Sequence, residues 1–317
     1  MNSNTLQKYV HKFKNLRVDR AHGAAPNKPV LLLAILELIE QGQIRENIIL
    51  PSPSLFEIFM KYWSIVTNRR PNLALPFFHL KSEGFWHHHA NAGYEIALRV
   101  TTQIKTVSRL REIIANASLD DELFNLLTIP HDREVLRQTL IHTYLPEHEQ
   151  AIERIFLETE QISVYREELL RRVEHTFSTQ NPIESVQTEE PIRTAGFRQA
   201  IMRIYDYTCA VCQLHILTMD GESVTEAAHI IPFHISGNND VRNGISLCQL
   251  HHWGFDRGLI SFSGTFKIIV SGLMVEKGPS EWKFTTLRDK KILVPEHKEH
   301  YPAQAALAWH RENVFRK

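Results

Sequence analysis

The feature that most constrains this chain is a pair of matched cysteine and histidine spacings in its last third. Cys209 and Cys212 form a C-x-x-C knuckle, and Cys248 and His251 repeat that spacing with histidine as the last member. Two such knuckles can enclose one tetrahedral zinc ion, and a closed set of four protein ligands is typical of a structural ion. The alternative is three buried thiols beside an unused histidine. Because these are the only 3 cysteines, and an odd count argues against a disulfide framework, the sequence favours structural Zn²⁺.

Bulk composition places the chain among ordinary globular proteins. Its 317 residues are 43% hydrophobic and 23% charged, which fits two domains with packed cores. The longest apolar run, residues 30–36, is too short to cross a bilayer, and the N-terminus lacks an apolar signal core. We therefore expect a cytoplasmic protein with no membrane partner. The formal net charge of +0 gives no bulk argument for or against nucleic acid.

The pattern of apolar residues and turn formers divides the chain into residues 1–175, a polar linker at 176–192 and residues 193–317. The first domain is predicted to be mixed and helix-rich. Pro26 and Pro29 open, and Gly42 ends, a core helix around 30–39. Further helices are predicted at 55–66, 107–115, 119–127, 132–143 and 148–175, with extended structure at 73–86 around a turn at 83–84.

The second domain reads as a strand at 223–231, a short strand at 245–247 and a helix from residue 249. This is a ββα unit, so the predicted fold class is α+β. His229 ends the first strand, Asn243 lies in the loop and His252 lies on the helix.

Residues between and after the knuckles have the chemistry for phosphodiester hydrolysis. Successive helical residues differ by about 100° around the axis, so His252 faces away from the zinc ligand His251. Asp256 lies four residues after His252 and shares its face, so the two form half of a divalent-metal site. An imidazole can accept a proton from water at neutral pH, which makes His229 the candidate general base. Asn243 either orients that imidazole or holds the loop through its amide.

Residues 193–317 resemble HNH endonucleases of the bacterial restriction type. The resemblance lies in AAHIIP (227–232), NGISLC (243–248) and HHWGFDRGLI (251–260). It implies a ββα-metal nuclease acting on double-stranded DNA with catalytic Mg²⁺ or Mn²⁺, with His229, Asn243 and His252 as the catalytic set. Asp256 stands where a metal-binding histidine is frequent. Ala228 stands where many relatives have an Asp or His ligand, so either water or Glu226 completes the metal site.

Residues 22–42 (HGAAPNKPVLLLAILELIEQG) and 75–86 (LPFFHLKSEGFW) resemble the sulfur-binding domain of phosphorothioate-dependent type IV restriction enzymes. The resemblance implies an apolar pocket for the sulfur that replaces a phosphate oxygen, formed by Leu75, Pro76 and His79. Leu75 stands where a tyrosine is common. Asn27 and Lys28 are implied backbone contacts, and the candidates for gripping neighbouring phosphates are Lys28, Arg69 and Arg70.

Other targets stay open at the level of sequence. A reader of methylated or hydroxymethylated cytosine would need aromatic rings to stack on a flipped base, which Phe77, Phe78, Phe85 and Trp86 could supply. An HNH nuclease for unmodified DNA and a non-catalytic, zinc-stabilised DNA-binding regulator are the further alternatives.

Residues 87–89 are three histidines. Adjacent histidines in a strand point to opposite faces and chelate a metal poorly, so we predict a polar loop or a DNA-facing surface there. Cutting two strands favours a homodimer.

Overall fold

The computed structural model describes residues 2–18, 25–180, 189–218 and 222–317. The chain forms two compact units that divide between Glu158 and Thr159, ahead of the predicted linker. Residues 181–188 of that linker, and residues 22–24 of the first resemblance motif, lie outside the described residues. The domain limits at 175 and 193 stay predictions. Within the four described stretches, no helix has both the length and the apolar character that crossing a membrane requires.

Unit 1 is helical around a small antiparallel sheet. Its elements are α1 (Asn2–Lys14), α2 (Asn27–Glu40), α3 (Pro53–Val66), α4 (Ala74–His79), β1 (Trp86–Ala90), α5 (Glu95–Val100), α6 (Val107–Ile113), β2 (Ile114–Leu119), α7 (Asp121–Thr128) and α8 (Pro130–Tyr144). Helix α9 (Glu149–Arg171) follows and contributes Ile152 to this core.

Helix α2 is the core helix that the sequence predicts. Every residue from Val30 to Leu36 is at most 1% exposed, because apolar side chains occupy all sides of the helix and other helices cover each of them. The chain leaves the helix at Gly42, which adopts the left-handed conformation with a φ of 66°. Glycine reaches that conformation without steric cost, which explains why the helix ends there.

The prediction of extended structure at 73–86 is wrong except for its turn. Helix α4 and a 3-10 turn at Leu80–Glu83 occupy this segment, and the chain reverses at Gly84 with a φ of 72°. The Asn72 side chain accepts hydrogen bonds from the backbone N–H groups of Ala74 and Leu75 at 3.0 and 3.3 Å. This local cap favours a helical turn over a strand.

Residues 87–89 lie in strand β1 and not in a polar loop. Strand β1 pairs antiparallel with β2, from Trp86 opposite Leu119 to Ala90 opposite Ile114. The His88 ring stacks on Phe77 and donates through Nε2 to the Phe77 carbonyl oxygen at 3.0 Å. Burial lowers the pKa of His88 to about 4, so a neutral histidine packs into the core at this position.

Unit 2 is built around two further antiparallel sheets. Its elements after α9 are α10 (Glu190–Ile204), β3 (Thr225–His229), α11 (Phe233–Ser236), β4 (Gly244–Cys248), α12 (Gln249–Asp256), β5 (Ile260–Phe262), β6 (Ile268–Val270) and α13 (Gln304–Asn313). Strand β3 pairs with β4 and β5 pairs with β6. The helix-rich and small-sheet architecture agrees with the predicted α+β class.

Strands β3 and β4 with helix α12 form the ββα unit that the sequence predicts. The strands pair from Thr225 opposite Cys248 to His229 opposite Gly244. A Cβ atom on Gly244 would lie 2.3 Å from Ile201 Cδ1 and 2.8 Å from Phe197 Cζ. Glycine at this position therefore lets α10 pack directly on the hairpin end that carries His229.

Candidate functional site

Four side chains of unit 2 form a compact metal-binding cluster. The ligand atoms of Cys209, Cys212, Cys248 and His251 all lie within 4.8 Å of one another. The Cys212 and Cys248 sulfurs are 3.9 Å apart, and His251 Nδ1 lies 3.6 Å from Cys209 Sγ and 3.0 Å from Cys248 Sγ. Tetrahedral zinc with bonds of about 2.3 Å to sulfur and about 2.1 Å to nitrogen would separate its ligands by about 3.6–3.8 Å. The residues present therefore fit zinc.

Without the ion, the cluster favours the zinc-binding charge state at only one of these ligands, Cys248. Hydrogen bonds with the Cys209 and Cys212 thiols lower the pKa of Cys248, which favours the thiolate, the form that binds metals. Hydrogen bonds with the other two thiols raise the pKa of Cys212, and, against the effect of burial, hydrogen bonds with Cys209 and Cys248 raise the pKa of His251 to about 9, so zinc would displace protons from these two groups. Cys248 ends strand β4 and His251 lies in the first turn of α12. An ion held here would tie the 209–212 knuckle to the start of the helix that carries His252.

His229 lies at the end of β3 with its imidazole held by two contacts. Its Nε2–H donates to Asn239 Oδ1 at 2.9 Å, since a carbonyl oxygen can only accept. Its ring stacks on Phe197, with centroids 3.9 Å apart and planes 6° from parallel. Burial is the first cause that lowers the pKa of His229, and the charge of His252 lowers it further, while the bond to Asn239 opposes both. The ring is therefore neutral at pH 7, with Nδ1 as the nitrogen that can take up a proton.

Asn243 acts on the loop and not on the His229 ring. Its Oδ1 accepts from the Ile231 N–H at 2.9 Å, and its Nδ2 donates to the carbonyl oxygens of Ile231 and Asn238, each at 3.0 Å. The side chain is fully buried. Of the two roles suggested by sequence, this geometry matches loop holding, so Asn243 positions the residues that follow His229.

Asn239 is a site residue that sequence reasoning missed. It accepts from His229, and its Nδ2 donates to the Tyr165 hydroxyl at 3.1 Å. Its neighbour Asn238 instead donates to the Ser178 carbonyl oxygen at 2.7 Å. Nothing in the sequence distinguishes these two adjacent asparagines, because only the folded loop determines which one faces the imidazole.

His252 has a carboxylate at each ring nitrogen. Its Nδ1 lies 2.9 Å from Glu226 Oε2, and its Nε2 lies 3.5 Å from Asp256 Oδ2. The predicted pairing of His252 and Asp256 on one face of α12 is therefore present. An imidazole nitrogen and a carboxylate oxygen facing each other at this spacing suit a divalent ion such as Mg²⁺ or Mn²⁺ with water in its remaining positions. The residues present fit such an ion.

A cavity of about 460 Å³ opens beside the His229 ring. Its lining includes Glu226, Asn239 and two cationic residues of α10, Arg193 and Arg198. Arg193 Nε is buried and has no hydrogen-bond partner among the described residues, and its guanidinium lies 5.7 Å from the centroid of the Phe233 ring. The guanidinium groups of Arg193 and Arg198 give their side of the cavity positive charge, which a phosphate oxygen could meet.

A second cavity, of about 320 Å³, lies in unit 1. It brings together five of the seven residues that the sequence predicts for DNA recognition, namely Asn27, Lys28, Leu75, Pro76 and His79. Arg17, Val18, Ala25 and Ser82 complete its wall. Burial, followed by the charges of Lys28 and Lys81, lowers the pKa of His79, so the cavity presents a neutral imidazole beside aliphatic groups at pH 7.

The other predicted phosphate contacts are placed differently. The Lys28 ammonium group donates to Arg17 O at 2.8 Å, to Ser82 Oγ at 3.1 Å and to the Glu83 carboxylate. All three N–H groups of Lys28 thus have acceptors inside the protein. Lys28 therefore shapes the cavity wall and has no N–H group left to donate to a phosphate. Arg69 and Arg70 are exposed and do not line this cavity. Arg17, which the sequence did not single out, does line it.

The four aromatic residues considered for stacking on a flipped base are core residues. Phe77, Phe78 and Phe85 are 0% exposed and Trp86 is 1% exposed. Phe77 and Trp86 pack edge to face with centroids 5.0 Å apart. None of these rings has a free face for a base.

Comparison with known families identifies the ββα unit. A family model described as HNH endonuclease matches residues 209–263, the stretch that holds both knuckles and the three residues His229, Asn243 and His252. This match confirms the prediction of an HNH endonuclease domain in the last third of the chain.

One solved structure that resembles the chain is described as "Modification dependent TagI restriction endonuclease". The sequences are 20% identical, the likeness covers 40% of this chain and 40% of that chain, and the TM-score is 0.30. A likeness of this extent does not establish a shared fold. No curated protein matches the chain.

Proposed function

We propose that this chain is a modification-dependent, type IV restriction endonuclease that recognises phosphorothioated double-stranded DNA through unit 1 and hydrolyses phosphodiester bonds with its HNH domain. Two HNH sites would be needed to cut both strands, so we further propose that two copies of the chain act on one duplex.

The observation that carries the proposal is the unit 1 cavity. Residues far apart in sequence, Asn27 on α2 and Leu75, Pro76 and His79 on α4, line one concave surface. The sulfur-reader resemblance predicts the pocket at Leu75, Pro76 and His79 and a backbone contact at Asn27. Their meeting at one cavity supports the recognition of sulfur.

The character of the lining suits a sulfur atom. Sulfur is larger, softer and less well hydrated than oxygen, so an apolar surface loses less free energy when it desolvates sulfur. Leu75 and Pro76 supply aliphatic contacts and the neutral His79 ring adds no charge. Arg17 would meet the negative charge of the phosphate backbone from the same cavity.

The alternative of a flipped modified base is disfavoured by burial. Such a reader needs exposed aromatic faces, and the four candidate rings of unit 1 are packed in its core. A purely structural HNH fold is disfavoured by the neutral, cavity-facing His229 and by the pairing of His252 with Asp256.

In the HNH domain, each residue has a distinct task. His229 would accept the proton of the attacking water at Nδ1, because its Nε2 is occupied by Asn239. Arg193 would hold a phosphate oxygen from the cavity wall. His252 and Asp256 would hold the divalent ion, which supplies charge neutralisation at the scissile phosphate when bound. The zinc cluster would fix α12 beside the hairpin.

The test is cleavage of three duplexes of identical sequence that carry a phosphorothioate, a methylated cytosine or no modification, with Mg²⁺ or Mn²⁺. The proposal predicts cleavage of the phosphorothioated duplex alone. Equal cleavage of all three, or cleavage of the methylated duplex alone, would contradict sulfur recognition while leaving the nuclease assignment intact.

A further inference from the structure

We infer that Glu226 is a positioning residue that fixes the ring of His252 for the catalytic divalent ion. This inference rests on the proposed role of His252 and Asp256 as metal ligands and deepens it. It is based on the surroundings of the His252 ring. The Glu226 carboxylate, from the hairpin, lies at one ring nitrogen, and the Asp256 carboxylate, from the helix, lies at the other.

The contact with Glu226 selects which nitrogen carries the hydrogen in the neutral imidazole of His252. A carboxylate oxygen accepts, so the Glu226 oxygen at 2.9 Å takes a hydrogen bond from His252 Nδ1–H. In the neutral imidazole, Nε2 then carries the lone pair, and this nitrogen faces Asp256 at 3.5 Å. Glu226 therefore favours the tautomer in which a metal-binding lone pair points to the second predicted ligand.

The same geometry places Glu226 away from the ion, so Glu226 is not itself a metal ligand. An ion shared by Nε2 and Asp256 lies on the side of the imidazole away from Nδ1, where the Glu226 carboxylate is engaged. Carboxylates placed in this way behind a metal-bound histidine hold its orientation and raise its basicity, and their loss typically weakens metal binding about 10–100-fold.

The position of Glu226 on β3 explains how it reaches the helix. Side chains two residues apart in a strand lie on the same face, so Glu226 shares its face with Ala228. Ala228 is 1% exposed and packs in the core, and it offers no metal-binding atom. Of these two residues on that face, Glu226 alone carries a carboxylate, and it is bonded to the helix histidine. The hairpin thus contributes to the metal site indirectly, through the imidazole.

The experiment measures metal binding and ring protonation in the full chain without DNA and with the cysteine cluster left loaded. Mn²⁺ affinity is measured by electron paramagnetic resonance, and the His252 tautomer by ¹⁵N chemical shifts of histidine-labelled protein before Mn²⁺ is added. The variants are Glu226→Ala and Glu226→Gln, with His252→Ala to assign the ring and to define the loss of a ligand. Glu312→Gln, an exposed glutamate on α13, is the matched control.

The wild-type ring should show Nδ1–H, and Glu226→Ala should lose this preference and bind Mn²⁺ about 10–100-fold more weakly. Glu226→Gln should keep the tautomer, because its amide oxygen still accepts from Nδ1, and should lose less affinity than the alanine variant. Glu312→Gln should behave as wild type.

Unchanged Mn²⁺ affinity and an unchanged His252 tautomer in Glu226→Ala would overturn the inference. A loss of Mn²⁺ affinity as large as that of His252→Ala would also overturn it, because Glu226 would then be a ligand. Because no DNA is present, failure of the sulfur proposal would not affect this result.

Discussion

The imidazole of His229 lies parallel to the ring of Phe197, with centroids 3.9 Å apart, so the candidate general base of the nuclease is fixed by an aromatic residue of α10. Stacking fixes the plane of the ring, and the bond from Nε2 to Asn239 Oδ1 at 2.9 Å fixes its rotation. The one remaining ring nitrogen is thereby aimed by the fold before any substrate binds. Such preorganisation reduces the cost of reaching the reactive arrangement.

The first prediction concerns the pH dependence of cleavage. Because burial lowers the pKa of His229, the base stays neutral below the usual imidazole pKa of about 6.5. The single-turnover rate at saturating Mn²⁺ should therefore be flat near pH 7 and fall only at lower pH, with a midpoint below about 6.5.

Removing the hydrogen bond to Asn239 tests the direction in which the pKa of His229 shifts. That bond raises the pKa of His229, so Asn239→Ala should move the acid midpoint to still lower pH while reducing the plateau rate, since the ring is no longer aimed. An acid midpoint that moves upward in Asn239→Ala would contradict the hydrogen-bond assignment.

The second prediction concerns Arg193. If the Arg193 guanidinium donates to a DNA phosphate from the cavity wall, Arg193→Ala should weaken DNA binding about 10–100-fold, because a hydrogen bond to a charged group contributes about 1.5–3 kcal/mol. The slope of log affinity against log salt should also decrease by about 1. Filter binding over a salt series measures both. Arg316→Ala, at an exposed arginine near the C-terminus, is the control, and an equal loss in both variants would indicate a general charge effect.

The third prediction concerns the cysteine cluster. Purified protein should contain about one zinc per chain, and Cys212→Ala should destabilise unit 2, since structural zinc contributes folding free energy directly. Hydrogen exchange followed by mass spectrometry should show faster exchange in β4 and α12, while α2 and α3 of unit 1 keep their protection. A zinc-free protein with full protection of α12 would refute the assignment.

Much of the HNH domain could be predicted from the sequence because its ligands are tied to short spacings. The C-x-x-C knuckle and the Cys248–His251 step each bring two ligands together within about one turn of the chain, so each half of the metal site could be predicted from spacing alone. The pairing of His252 with Asp256 follows likewise from helix periodicity. The bond from Glu226 to His252 joins residues on different elements, and its atoms could not be assigned without the fold.

Unit 1 was harder to predict because long-range packing decides its local structure. Residues 74–79 include β-forming aromatics, yet they are helical because Asn72 caps them and Phe77 and Phe78 enter the core. The sequence predicts that Lys28 contacts the DNA backbone, whereas the fold buries it against Glu83. Strand β2 was not predicted, and its ends overlap the predicted helices at 107–115 and 119–127, because its partner β1 is distant in sequence.

The fourth prediction concerns sulfur selection by the unit 1 cavity. Leu75→Asn puts a polar amide where the proposal needs an apolar contact, so it should lower the ratio of affinities for phosphorothioated and plain duplexes by about 10-fold, the effect of roughly 1.4 kcal/mol. The affinity for plain DNA should stay the same. Leu50→Asn, the same change at a leucine that is 53% exposed, is the matched control. An unchanged ratio in Leu75→Asn would remove the cavity from the recognition mechanism.

The most direct measurement is made with His229→Ala on a phosphorothioated duplex, where binding and single-turnover cleavage are followed in the same samples. The account predicts that affinity for the duplex stays within error of wild type while the cleavage rate falls about 10²–10⁴-fold, the usual contribution of a general base. His234→Ala, at an exposed histidine on α11, should cleave at the wild-type rate. Cleavage by His229→Ala at the wild-type rate would contradict the role of His229 as the general base. Loss of DNA binding together with cleavage would contradict the claim that unit 1 recognises the duplex independently of His229.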